Sequence, residues 1–178
     1  GRPRQISGAE AAALTILARE PALFVQLHDR CVLTPHAGEF ARLFPDIAEK
    51  LAAPAMKGPA YSKVDATREA AKRAGCVVLY KGPDTVIADP SGRCSINSAH
   101  YERAAPWLAT AGSGDVLAGI LGAYLAAASV HASPSWTPFD AAAAAVHVHG
   151  LAGDLAAKEL GRRALVASDL IAYLPKAQ

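Results

Sequence analysis

The chain has 178 residues, enough for one domain with a substantial buried core. Hydrophobic residues make up 52% and charged residues 19%, the composition of a folded protein rather than a disordered one. A formal charge of only +2, with no long basic block, gives no electrostatic reason to expect nucleic acid as a partner.

The longest uncharged apolar run, residues 116–130, is too short for an ordinary membrane span; it is expected as a buried helix, with no membrane partner. The opening residues Gly1-Arg2-Pro3-Arg4-Gln5 lack the apolar stretch of a signal peptide. Cys31, Cys76 and Cys94 are odd in number and widely spaced, without C-x-x-C or Cys/His ligand spacing, so no zinc site is expected. Cys31 and Cys76 each open an apolar run, where cysteine acts as a small core residue. That usage suits a reducing, cytoplasmic location.

In chain order, residues 8–19 read as an alanine- and leucine-rich helix. Cys31-Val32-Leu33 is a short strand stopped by Thr34-Pro35. Thr34 is expected to cap a new helix, with Pro35 at its first position and Glu39 as the capping partner in its first turn. Phe40, Leu43 and Phe44 fall on one face of that helix. Residues 54–59 read as a loop. Ser62 and Asp65 resemble a capping box for a helix that ends at Gly75. Residues 76–80 form a continuous apolar strand, and a helix leading into a doubly buried strand predicts a parallel α/β sheet. Residues 85–88 and 93–96 flank Asp89-Pro90-Ser91-Gly92 as a hairpin. A glycine-rich turn at 112–114 opens a long apolar helix; a second helix covers 139 to about 160, and a short one runs from Ser168 to Pro175. No linker or repeat divides the chain, so residues 1–178 are expected as a single domain.

The turn Gly112-Ser113-Gly114-Asp115 carries the strongest chemical signal. Glycines allow a tight turn, so that unpaired amides at a helix start can approach an anion. A carboxylate there would repel a phosphate unless it has a task, and deprotonating a hydroxyl that attacks phosphorus is such a task. Taken alone, the four residues read equally well as a shaped turn with Asp115 capping the helix. His36 alone reads as a helix-start residue bonded to backbone, and Lys81 as a solvated strand end beside Gly82. His147 and His149, two apart, point to different sides of a helix and make no zinc pair. Trp107 reads as a core residue near the turn.

The segment Leu108-Ala109-Thr110-Ala111-Gly112-Ser113-Gly114-Asp115-Val116-Leu117-Ala118-Gly119-Ile120 resembles the signature of the ADP-dependent NAD(P)H-hydrate dehydratases of the ribokinase-like superfamily. Further segments resemble the family in the same order: Thr34-Pro35-His36-Ala37-Gly38-Glu39, then Lys81-Gly82-Pro83-Asp84-Thr85 after a strand, then His149-Gly150-Leu151-Ala152-Gly153-Asp154 and Ala167-Ser168-Asp169. The resemblance covers roughly Leu14 to Leu174. It implies a three-layer α/β/α ribokinase-like fold with the site at the C-terminal ends of parallel strands. It also implies a repair enzyme that uses ADP as co-substrate, with Mg²⁺, to dehydrate the S form of hydrated NADH or NADPH. Carried over position by position, Asp115 is the implied base, and Gly112, Ser113 and Gly114 donate amides to the transferring phosphoryl group. His36 and Asp115 contact the hydrated dinucleotide, and Lys81, Gly82, Pro83, Asp84, Thr85 and Gly114 line the AMP portion.

The sequence departs from the family in three places, one of them Gly8-Ala9-Glu10-Ala11-Ala12-Ala13, which stands where the family tends to have an aspartate-rich segment ahead of the first helix. The expected early strands are not recognisable before Leu14, and Ser98-Ala99-His100-Tyr101-Glu102-Arg103-Ala104-Ala105-Pro106 stands where the family has an asparagine-threonine-glycine-asparagine run. The chain is therefore expected to be the C-terminal portion of a dehydratase domain, of the kind often fused to an NAD(P)H-hydrate epimerase. A homo-oligomer is expected. The residues leave two rivals open: an ATP-dependent small-molecule kinase of the same superfamily, and a non-catalytic nucleotide-binding module.

Overall fold

The computed structural model describes residues 7–9, 11–54, 58–98, 111–130, 136–161 and 165–177. The sequence readings at His100, Trp107 and Thr110 lie outside these residues. The chain divides into two compact units, Gly1–Gly82 with Val86–Ile96, and Pro83–Thr85 with Asn97–Gln178.

The first unit is built on a mixed sheet. Strands β1 (Ser7–Ala9), β2 (Cys31–Leu33) and β3 (Val77–Tyr80) pair in parallel, while β4 (Asp84–Ala88) runs antiparallel to β3 and is followed by β5 (Cys94–Ser98) at the edge. The expectation of a parallel sheet is thus corrected beyond β3. The short 81–83 link between β3 and β4 cannot carry a crossover, so the chain must turn back on itself. The expected turn into β5 is present: Asp89 Oδ1 accepts from the Ser91 and Arg93 amides, and Asp89 N donates to Arg93 O at 3.1 Å.

Helix α1 (Ala11–Arg19) begins later than expected, because Ser7–Ala9 is drawn into the sheet with Gly8 opposite Val32. A short helix α2 (Pro21–Phe24) precedes β2; α3 (Ala37–Leu43) and α4 (Pro45–Ala52) meet at Phe44, where Pro45 starts the second of them. Helix α5 (Lys63–Ala74) has the expected ends. Ser62 Oγ accepts from Asp65 N, Asp65 Oδ2 accepts from Ser62 N, and Gly75 closes the helix at φ +65°.

Leu14, Phe40, Phe44, Ile47, Ala70 and Val78 form one buried cluster with Cys31 and Cys76. Burial pushes the Cys76 thiol up to about 12, consistent with a packing role rather than a reactive one. Arg73 holds Asp46 through paired bonds of 2.6 and 2.7 Å, fastening α5 to α4 and keeping the Asp46 carboxyl down at about 2.

The second unit contains α6 (Ser113–Val130), α7 (Pro138–Glu159) and α8 (Ala167–Tyr173), closed by a 3₁₀ turn at Leu174–Lys176. Thr137 and Asp140 form a reciprocal cap at the start of α7. Alanines 141, 142, 145, 152 and 156 of α7 are fully buried, and their small side chains allow neighbouring helices to approach closely. Helix α6 is not buried all round, as the apolar run suggested. Leu117, Leu121 and Leu125 recur every fourth residue on a buried stripe, whereas Gly119, Gly122, Ala123, Ala126 and Ala127 are exposed. Small residues raise mean hydropathy without requiring burial. No helix among the described residues is long and apolar enough to cross a membrane.

Candidate functional site

The first unit brings His36, Glu39 and Lys81 together. The helix expected to be capped by Thr34 is capped by His36 instead: Nδ1 accepts from Gly38 N at 3.0 Å and Glu39 N at 3.4 Å, and Glu39 Oε2 accepts from His36 N at 2.8 Å. Thr34 and Pro35 lie outside the helix, and Pro35 O accepts from Lys81 N at 2.8 Å, a bond that ties this loop to the end of β3. Because Nδ1 accepts, the ring proton of neutral His36 sits on Nε2, which faces Glu39 Oε1 at 3.5 Å. Gly38 leaves room for that ring, since a Cβ there would come within 3.1 Å of His36 Cε1.

Glu39 is buried, and a buried carboxylate needs partners. Besides His36 it has the Lys81 ammonium at 3.8 Å. Lys63 adds a second cation: its Nζ donates to Lys81 O at 3.1 Å and lies 4.2 Å over the Tyr80 ring. Phe40 stacks flat on the same ring, with centroids 4.1 Å apart. The start of α3 and the end of β3 are therefore joined by a main-chain bond, an ion pair and a ring stack.

The second unit carries the glycine turn. Gly112 has φ +82°, a left-handed conformation that favours glycine, and a Cβ there would stand 3.1 Å from the Ala167 Cβ. The first helical bond of α6 runs from Val116 N to Gly112 O at 3.1 Å. The amides of Ser113, Gly114 and Asp115 consequently have no acceptor within the helix and sit at its positive end. The expected amide set was Gly112, Ser113 and Gly114; the helix starts at Ser113, with Gly112 as the bend just before it. Asp115 is exposed in the first turn, whereas Ser113 is buried and touches His149 on α7.

A cavity of about 610 Å³ opens beside this turn. Gly112 and Asp115 contribute from the start of α6, and Val116, Ile120, Tyr124, Val148 and Ile171 give it apolar walls. Its size and mixed lining fit a small organic ligand with one charged end. Asp115 is the only carboxylate among the described lining residues, and no described cluster of three His, Cys, Asp or Glu side chains could cage a metal. That donor set fits Mg²⁺ in its usual nucleotide mode, held chiefly by phosphates with a single carboxylate nearby.

Of the residues singled out in the sequence, His36, Lys81 and Gly82 fall in the first unit. Pro83, Asp84, Thr85, Gly112, Ser113, Gly114 and Asp115 fall in the second. Asp84 and Thr85 open β4 rather than lying in a loop, and Asp84 accepts from Ser98 Oγ at 2.7 Å. Sequence reasoning missed Glu39 as the link between His36 and Lys81, and it missed the contact of His149 with Ser113. The spacing of His36 and Glu39 was the available signal for the first.

A glycine bend, a helix start whose first amides have no partner within the helix, a neighbouring carboxylate and an apolar cavity lie together in the second unit of this α/β protein, an arrangement chemically suited to an anion. The NAD(P)H-hydrate dehydratase family model matches residues 9–176, and the chain belongs to that family. It is 38% identical over 166 residues to a bifunctional NAD(P)H-hydrate repair enzyme of Moorella thermoacetica, covering 93% of this chain and 28% of the relative. It is 37% identical over 145 residues to an ADP-dependent (S)-NAD(P)H-hydrate dehydratase of Cenarchaeum symbiosum, covering 82% of this chain and 43% of that one. Among solved structures, the ADP/ATP-dependent NAD(P)H-hydrate dehydratase of Bacillus subtilis, co-crystallised with ATP and Mg²⁺, matches with a TM-score of 0.64 at 29% identity. That match covers 83% of this chain and 46% of the other. The fold is ribokinase-like, as the motif set implied.

Proposed function

We propose that the site performs nucleotide-dependent dehydration of hydrated NADH or NADPH, with ADP as the phosphoryl donor. The observation that carries this reading is Asp115 itself: an exposed carboxylate in the first turn of α6, beside amides that have no partner within the helix, and at the cavity wall. Family membership and the printed activities of the relatives support it.

Asp115 takes the proton of the nicotinamide-ring hydroxyl as that oxygen attacks the β-phosphorus of ADP. The bond from the β-phosphorus to the oxygen bridging it to AMP breaks, and AMP leaves. The amides of the turn face the charge that builds on the phosphoryl oxygens, where fixed donors act without reorganising. The ring nitrogen's electron pair then expels the phosphorylated oxygen as phosphate, and loss of a neighbouring ring proton restores the reduced dinucleotide. The sum is hydrate plus ADP giving NAD(P)H, AMP and phosphate. Mg²⁺, when bound, spreads the negative charge of the phosphates. By the family resemblance, we assign contact with the dinucleotide to His36 and contact with the AMP portion to Lys81, Gly82, Pro83, Asp84 and Thr85. The relatives named as bifunctional repair enzymes support a partnership with a second activity, which we propose is an epimerase that interconverts the two hydrate forms.

Product analysis separates this chemistry from that of a kinase. Incubation with hydrated NADH and ADP is expected to yield AMP and free phosphate in equal amounts, with no lasting phosphorylated intermediate. Accumulation of a stable phosphorylated small molecule, without free phosphate, contradicts the proposal.

A further inference from the structure

We infer that His149 is a positioning residue for the phosphate-holding turn. The inference rests on the nucleotide reading above but concerns a residue that reading does not use. His149 Nε2 lies 3.0 Å from Ser113 O and 3.1 Å from Ser113 Oγ, and both residues are buried. A carbonyl oxygen only accepts, so the imidazole proton sits on Nε2 and donates toward Ser113. This fixes the tautomer and joins α7 to the first residue of α6.

The turn needs such a tie. Gly112 and Gly114 have no side chain, which lets a phosphate come close to the backbone but leaves the segment free to sample many conformations. Ser113 is the only residue of the three with a side chain, and that side chain points inward to His149. Holding Ser113 by its carbonyl and its hydroxyl orients the peptide plane between Ser113 and Gly114, and with it the Gly114 amide. His149 thereby sets the direction of donors that it never shares with the ligand. His147, two residues earlier on the same helix, is exposed and has no part in this arrangement.

The test compares the affinities of this chain for ADP and AMP by titration calorimetry, with melting temperatures recorded alongside. The ratio of the two affinities isolates the β-phosphate that the turn is built to hold. His149→Leu is expected to reduce the preference for ADP over AMP by about 3- to 10-fold, the range for one net hydrogen bond, with AMP affinity unchanged. His149→Gln, whose amide reaches the same donor position, is expected to restore it. His147→Leu is expected to change neither affinity. If His149→Leu fails to fold, His149→Asn, whose shorter amide stops short of Ser113, carries the same expectation. Equal weakening of ADP and AMP, or no change in either, overturns the inference while leaving the nucleotide reading intact. A wild-type protein that binds neither nucleotide overturns both.

Discussion

Replacing Asp115 with Asn is expected to cut turnover by about 10² to 10⁴-fold, the contribution of a positioned general base, while nucleotide binding survives. Asn has the same shape but cannot take the hydroxyl proton. The side chain is exposed in the first turn of α6, so nothing packs against it that the substitution would disturb. Loss of a favourable charge at a helix start costs less than about 1 kcal/mol. Removing a negative charge beside the phosphate site relieves repulsion, so ADP is expected to bind equally or slightly more tightly. Turnover, ADP affinity and melting temperature measured on one preparation separate the two possible roles. A folded Asp115→Asn protein with near-normal turnover would reduce Asp115 to a helix-start residue without a chemical task.

Replacing Phe40 with Ala is expected to have the opposite profile, a large loss of stability. Phe40 is fully buried, stacks on Tyr80 at 4.1 Å and meets Phe44 at 5.2 Å. Truncating a buried Phe to Ala typically costs about 3–5 kcal/mol, because transfer energy is lost and a cavity remains. For a chain of this size that corresponds to a fall in melting temperature of roughly 6–20 °C. The same ring holds the start of α3 against the end of β3, so Lys81 and His36 lose part of their support. Affinity for AMP should therefore weaken along with stability, even at temperatures where the variant is folded. A Phe40→Ala protein with an unchanged melting temperature would contradict the packing described for the first unit.

The features that could be read from sequence are those decided by local chemistry. Ser62 with Asp65, Gly75 after α5, the turn at Asp89 and the bend at Gly112 each need only residues within a few positions of one another. The features that could not be read depend on distant partners. Ser7–Ala9 is a strand because Cys31–Leu33 lies beside it, and an alanine-rich stretch does not announce such a neighbour. His36 caps α3 in place of Thr34, and Lys81 N holds the Pro35 carbonyl through a bond between segments far apart in the chain. The exposed side of α6 was hidden by composition, since glycine and alanine look apolar whether or not anything covers them. Around the glycine turn and the start of α3, the bend at Gly112 was legible from local sequence, whereas the long-range contacts beside it were not. Glu39 looked like a capping residue and is also the counter-charge of Lys81, and His149, which opened a family-like segment, gave no sign in the sequence of its contact with Ser113.

We propose that the carboxylate and amides at the start of α6 restore a damaged nicotinamide at the expense of ADP. The most direct test follows the absorbance of reduced nicotinamide after the protein is mixed with the S form of hydrated NADH, Mg²⁺ and ADP. The absorbance is expected to return only when ADP and protein are both present, with one AMP formed for each NADH recovered. Hydrate that persists unchanged while the protein is folded and saturated with ADP would contradict the proposal.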